Sequence, residues 1–179
     1  MTSARIDPKD VGKALRKLAL TTAPEELAFS PDKEYPTIYG VVTDWRIGQE
    51  TASILAMKDG AASLYTTATF GIIGGEGHEK VMAAAQRCVR VGHRFVARSV
   101  KTSEFPYPED DQVNFFLLSY EGVRLCKADE TAIRQGSDAI RELFDAAQDL
   151  LTELRLVYEE GTEKEAQPEA PANGASPRR

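Results

Sequence analysis

The pattern of apolar and polar positions divides the chain into alternating helices and strands. Near the N-terminus, Val11, Leu15 and Leu18 recur at helical spacing, which predicts an amphipathic helix. Asp7 is a suitable N-cap for this helix, and Pro8 suits its first position. Residues 21–36 contain three prolines and are predicted to form a connector.

Three strands are predicted after the connector. Residues 37–45 are rich in β-branched and aromatic side chains, as is typical of strands. Residues 52–57 and 61–67 flank the turn Lys58-Asp59-Gly60, and an Asp-Gly pair in this position favours a hairpin because glycine supplies the positive φ. Residues 71–78 are predicted to form a glycine-rich turn.

The second half of the chain begins with a predicted helix over residues 79–99. An acidic loop over 104–111 follows it. Residues 113–120 are apolar on both faces, which indicates a strand inside the sheet. The turn Glu121-Gly122 leads into a strand over 123–128, and the helical pattern then continues over 129–160.

The element order α-βββ-α-ββ-α predicts an α+β fold. Strands joined by short turns are antiparallel neighbours, so we expect two layers: a five-stranded, mostly antiparallel sheet with helices covering one face. Residues 1–34 are the predicted N-terminal helix and connector, and 35–160 form the predicted α+β domain. Residues 161–179, in which alanine is the only apolar residue type, are predicted to be a disordered tail.

The charge balance narrows the classes of partner. The 179 residues include 22 Lys and Arg against 28 Asp and Glu, a net charge of −6, so nucleic-acid binding is disfavoured. No run of 18 apolar residues is present, which argues against a membrane-spanning helix. The N-terminus has no apolar signal core, and two cysteines suit a reducing compartment. We therefore expect a cytoplasmic protein that does not bind membranes.

Basic residues gather on one side of the helix predicted from residue 79. Residues 79–101 hold six basic residues and one acidic residue. This side is either a solvated helix face or a docking face for an acidic partner. The candidate binding residues there are Lys80, Arg87, Arg90, Arg94 and Arg98.

The last predicted helix has the opposite charge. Residues 129–160 hold nine acidic residues and three arginines, together with an apolar stripe from Ile140 to Tyr158. The basic and acidic helices could pair within one protomer or between two. The stripe could also reach a neighbouring copy, and we expect a homodimer formed through one of these helices.

The turn over residues 71–78 is the only segment that suggests a small-molecule site. It follows a strand and precedes a helix, where backbone N–H groups can hold an anion. The candidate anion-binding residues are Gly74, Gly75, Gly77 and His78. The spacing matches neither a Walker loop nor a Rossmann fingerprint, and a tight strand-to-helix connection explains the glycines equally well.

No pattern of residues predicts catalysis or a metal site. The only histidines are His78 and His93, and the chain has no closely spaced His or Cys pair of the kind that binds metals. Cys88 and Cys126 lie in apolar patterns and are predicted to be buried. We therefore expect no cofactor and no metal, and we favour a protein that is not an enzyme.

The only tryptophan, Trp45, lies between Asp44 and Arg46 at the end of the first predicted strand. An aromatic residue flanked by charges is typical of recognition patches. It is equally typical of a residue that covers the edge of a core, and both interpretations stay open here.

The order α-βββ-α-ββ-α resembles that of the small, acidic, dimeric chaperones of type III secretion. Roadblock and longin domains differ from it, because they have two strands before the middle helix and three after it. The resemblance implies a protein-binding role. We predict a non-enzymatic adaptor or chaperone-like module that binds a protein partner as a homodimer. The alternative is an anion- or nucleotide-binding regulatory domain that uses the turn Gly71–His78.

Overall fold

The computed structural model describes residues 8–68, 71–73 and 77–166. Within these ranges the chain is an α+β protein with one antiparallel sheet of seven strands and four α-helices. The helices are α1 (Pro8–Thr21), α2 (Glu79–His93), α3 (Glu130–Gln135) and α4 (Arg141–Ala166). The strands are β1 (Ile38–Ile47), β2 (Glu50–Met57), β3 (Ala62–Thr66), β4 (Gly71–Ile73), β5 (Val100–Lys101), β6 (Gln112–Ser119) and β7 (Gly122–Asp129).

Strand β1 is the centre of the sheet, whose order is β4-β3-β2-β1-β6-β7-β5. It pairs with β2 on one side and with β6 on the other, so that Val42 lies opposite both Leu55 and Phe116. The α+β class and the antiparallel pairing confirm the prediction from the sequence. The predicted interior position of residues 113–120 is also confirmed, because β6 lies between β1 and β7.

The number of strands differs from the predicted five, because β4 and β5 complete the two edges of the sheet. β4 lies in the segment predicted to be a turn and pairs with β3. β5 follows α2, which ends at His93 rather than at residue 99, with one 3-10 turn over Val96–Arg98 between them. Strands of three and two residues are too short to show an alternating pattern, so only their pairing with β3 and β7 defines them.

The predicted continuous helix over 129–160 is divided in two. The Asp129 carboxylate caps α3 by accepting a hydrogen bond of 2.7 Å from the N–H of Ala132. Gly136 ends α3 with φ of 72°, a left-handed conformation that glycine adopts at low cost. Helix α4 then continues to Ala166, six residues into the segment predicted to be a disordered tail, while 167–179 lie outside the described residues.

Helices α2 and α4 cover the first face of the sheet and form its main core. Cys88 of α2 and Leu143 and Leu150 of α4 pack with Ile54 and Phe115, and all five are at most 1% exposed. Large apolar side chains buried to this degree each contribute about 1.5–3 kcal/mol to stability.

Helix α1 covers the second face, which the two-layer prediction left without a helix. Leu20 is buried there with Leu55, Phe116 and Leu118. The helix lies so close to β3 that a Cβ added at Gly12 would be 2.2 Å from the Thr66 carbonyl oxygen. The amphipathic pattern predicts that α1 packs, but it does not state on which face of the sheet.

Candidate interaction surfaces

The arginines on α2 and just after it are paired with acidic residues of the same chain. Arg94 forms an ion pair with Glu142 at the start of α4, and Arg87 forms one with Asp149 two turns further along. Both pairs join α2 to α4, which pack side by side. The two helices of opposite charge thus meet within one protomer, which is one of the two arrangements that the sequence left open.

The other candidate arginines are also engaged within the chain. Arg90 donates to Glu34 at 2.9 Å and to the hydroxyl of Tyr35 at 3.1 Å, which fastens the connector to α2. Arg98 binds both carboxylate oxygens of Asp138, with an Nη2–Oδ2 distance of 2.7 Å. Lys80 is exposed and has no ion pair with any residue that the structure describes.

Asp138 is the most strongly held of these acids. It also accepts a hydrogen bond of 3.0 Å from the N–H of Ile140, and its side chain is 17% exposed. The hydrogen bond from Arg98 lowers the pKa of Asp138 from 3.8 to about 2. The carboxylate form is therefore stabilised in the folded protein.

This shift gives the stability contribution of Asp138 a definite pH window. A lowered folded-state pKa stabilises above the unfolded value and stops doing so as pH falls through the folded value. We expect wild type to be more stable than Asp138→Asn at pH 6, and the difference to shrink between pH 3.8 and about 2. Urea denaturation at several pH values measures this difference. Asp145→Asn is the control, since Asp145 forms only an exposed pair with Arg141 on its own helix; a constant difference for Asp138→Asn would contradict the assignment.

Trp45 covers the edge of the first-face core. Its ring meets that of Phe144 edge-on, with centroids 5.5 Å apart, and it is only partly exposed. Its Nε1 is buried and has no hydrogen-bond partner in the described structure. Of the two interpretations from the sequence, these contacts support a residue that closes the core.

The glycine-rich segment is described only in part. Gly71–Ile73 is strand β4, and Gly74 and Gly75 lie outside the described residues. Gly77 has φ of 86°, and exposed His78 precedes α2 without a side-chain capping bond. The predicted anion site therefore stays a prediction.

The cysteines and histidines form no reactive group in the described residues. Cys88 and Cys126 are buried, as predicted, and burial raises the pKa of the Cys88 thiol to about 12. A thiol with such a pKa is not a nucleophile at neutral pH. His93 is exposed at the end of α2. The described part of the chain contains no group of three His, Cys, Asp or Glu residues placed to hold a metal ion.

A buried ion pair that the sequence did not predict joins α1 to the centre of the sheet. Arg16 of α1 is 5% exposed and Asp44 of β1 is 0% exposed. Arg16 Nε donates to both carboxylate oxygens of Asp44, at 2.9 and 3.2 Å, and the Ser53 hydroxyl donates to the same carboxylate at 2.6 Å. Burial raises the pKa of Asp44, and the hydrogen bonds from Arg16 and Ser53 oppose that effect.

The segment that follows β5 completes the surroundings of Arg16. The Nη1 of Arg16 donates to the carbonyl of Phe105 at 3.1 Å, and the Nη2 of Arg16 donates to the carbonyl of Pro106 at 3.3 Å. The ring of Tyr107 lies 4.2 Å from the guanidinium carbon. The one signal of this pair in the sequence is Asp44, the only charged residue in the strand predicted over 37–45, whereas Arg16 resembles the exposed lysines beside it in α1.

A concavity beside an incompletely paired strand is called the β7 edge groove here; it is lined by Arg98, Val100, Lys101, Leu125, Cys126 and Lys127. Its volume is about 380 Å³. Val100 is 70% exposed beside the apolar side chains of Leu125 and Cys126. Lys127 is exposed and has no ion pair with a described residue, while Lys101 has only an exposed pair with Glu121 at 3.3 Å.

The backbone of β7 pairs with β5 along part of this groove and is open at Lys127. The N–H of Thr102 donates to the Val123 carbonyl at 2.9 Å, and Val100 lies opposite Leu125. Because alternate residues of a strand direct their backbone groups to the same side, Lys127 must also direct its N–H and carbonyl toward the β5 side. β5 has ended there, so no described strand accepts these groups.

A scan against protein-family models found no match, and searches of curated proteins and of solved structures returned no match at the significance threshold. None of the helices in the described ranges is long and apolar enough to cross a membrane.

Proposed function

We propose that the protein is a non-enzymatic adaptor that binds an extended, acidic segment of a partner protein along the β7 edge groove. The observation that supports the proposal is the outward-facing backbone of Lys127, which lies beside an apolar groove with basic side chains at its rim. A peptide that adds a strand to an open sheet edge gains backbone hydrogen bonds, and its alternate side chains enter the adjoining groove.

The charge of the groove selects the chemistry of the segment. The guanidinium of Arg98 is satisfied by Asp138, so Lys101 and Lys127 are the cations available to a ligand. They favour carboxylates, and exposed Val100 favours an apolar side chain at an alternating position. The four arginines on and just after α2 are engaged within the chain, so the proposal places the acidic segment at this edge.

A labelled octapeptide of alternating valine and glutamate tests the proposal directly. We expect saturable binding by fluorescence anisotropy that weakens as salt rises. In amide hydrogen exchange, the N–H of Lys127 should exchange fast in the free protein and slowly in the complex. Lys127→Glu should weaken binding at least tenfold, while Lys80→Glu, at an exposed lysine of α2, should leave it unchanged.

Two matched peptides test the binding mode. A valine–lysine octapeptide reverses the charge, and a version with proline at alternate positions removes backbone donors. Both should bind at least tenfold more weakly than the glutamate peptide. No binding of the glutamate peptide at millimolar concentration, or equal binding of all three, would overturn the proposal.

The alternative, a nucleotide site at Gly71–His78, is tested separately by measuring the thermal shift of the protein with nucleotides.

A further inference from the structure

The outer side of α1 carries an unusual arrangement of exposed residues. Val11 is 40% and Leu18 is 60% exposed. At 100° per residue these two lie along one side of the outward face, and Asp10 and Lys17 lie along the other side. Ala14, also exposed, lies midway between the two sides.

The opposite side of the same helix is fixed to the sheet. Arg16 is held by Asp44, and Gly12 is in close contact with the backbone of Thr66. The hydrogen bonds of Arg16 to Asp44 and the close approach at Gly12 hold this side of the helix against β1 and β3. The outer face of α1 is therefore presented at a defined angle.

We propose that this outer face is a homodimer interface, in which α1 packs antiparallel against α1 of a second copy, with Ala14 at the two-fold axis. A two-fold axis requires one surface to be complementary to itself. In this arrangement Val11 packs on Leu18 of the partner subunit. On the other side of the face, Asp10 pairs with Lys17 of the partner subunit.

The spacing of the four flanking residues supports a second copy as the occupant. Val11 and Leu18 are seven residues apart, and so are Asp10 and Lys17, which places both pairs about 10 Å apart along the helix and centred near Ala14. The small side chain at the centre permits a close approach of the two helices. Among the described residues, Asp10 pairs only with Lys13, at 3.3 Å in an exposed pair, and Lys17 has no ion pair.

Val11 and Leu18 are two of the eight large apolar side chains that are exposed in the described chain. The proposal places on α1 the homodimer that the sequence pattern assigned to one of the two oppositely charged helices. It involves none of the residues of the β7 edge groove, so the peptide experiments can fail while this one succeeds.

Molar mass by light scattering at 10–100 µM, roughly the range in which weak dimers form, is the first test. We expect wild type at twice 19.7 kDa. Leu18→Glu should give the monomer mass, because it places two carboxylates in an apolar contact. Leu156→Glu, at a 46% exposed leucine of α4, should remain dimeric. A monomeric wild type, or a dimer lost in Leu156→Glu but kept in Leu18→Glu, would overturn the proposal.

Cysteine cross-linking locates the axis. Ala14→Cys should form a disulfide-linked dimer under mild oxidation, because only positions near the two-fold axis bring both copies of a residue within disulfide reach. Thr152→Cys on exposed α4 is the matched control and should not cross-link. The native cysteines are both buried. Equal cross-linking rates for the two variants would contradict the interface.

A charge swap tests the proposed ion pair. Asp10→Lys should weaken the dimer at least tenfold, and combining it with Lys17→Asp should restore the affinity.

Discussion

Replacing Arg16 with methionine is expected to lower the free energy of unfolding by about 3–5 kcal/mol, because the Asp44 carboxylate is left buried without its cation. Asp44 is 0% exposed, and the Ser53 hydroxyl is its only other side-chain donor in the described structure. Urea denaturation measures the loss. Lys80→Met, at an exposed lysine of α2 outside the proposed α1 interface, should change stability by about 0.5 kcal/mol or less.

A double-mutant cycle separates the ion pair from general effects on α1. Asp44→Asn removes the buried charge, so the combination of Arg16→Met and Asp44→Asn should lose less stability than the two single changes added together. Strict additivity would mean that the two side chains do not interact. A loss below about 1 kcal/mol for Arg16→Met alone would indicate that Asp44 reaches water or becomes protonated.

The second large effect is expected at Phe116, on the face of the sheet that α1 covers. Phe116→Ala should cost about 3–5 kcal/mol, the range for a fully buried aromatic side chain. Phe116 is 0% exposed, and it packs with Leu20 of α1 and with Phe105. Phe115→Ala, at the adjacent residue on the first face, is the matched comparison and should cost about as much.

The comparison tests whether the second face carries a true core. Had the two-layer prediction been correct, Phe116 would face solvent, and its loss would cost about 1 kcal/mol or less. A small effect at Phe116 beside a large effect at Phe115 would show that α1 does not cover the sheet in solution. Equal effects would confirm a helix-covered sheet with a core on each side.

The sequence predicted the elements that carry their own pattern. β1, β2, β3, β6 and β7 each show enough β-branched residues or a clear hairpin turn, and α1, α2 and α4 show helical periodicity. β4 and β5 could not be predicted, since three and two residues have no periodicity and exist as strands only through their neighbours. The left-handed conformation of Gly136 ends α3 within a helical pattern that runs on from both sides.

The sequence predicted the charges of the interaction surfaces, but it did not predict where their ion-pair partners lie. The excess of arginine on α2 and of acid on α4 was evident from the sequence, yet it did not show whether the pairs form within one chain. The packing of α2 beside α4 decides this point, as Arg94 and Glu142 show. The Arg16–Asp44 pair joins residues 28 positions apart, a distance at which local patterns carry no information.

The central position of β1 has a consequence for synthesis on the ribosome. β2 follows β1 directly, but β6, its other neighbour, begins about 65 residues after β1 ends. At about 5–20 residues per second, roughly 3–13 s pass before β6 has been made. During that time β1–β3 form a three-stranded meander. The side of β1 that later pairs with β6 then has unpaired backbone groups, and exposed strand edges of this kind promote aggregation. The nascent chain is therefore most vulnerable in its N-terminal half, and the arrival of β6 ends that interval.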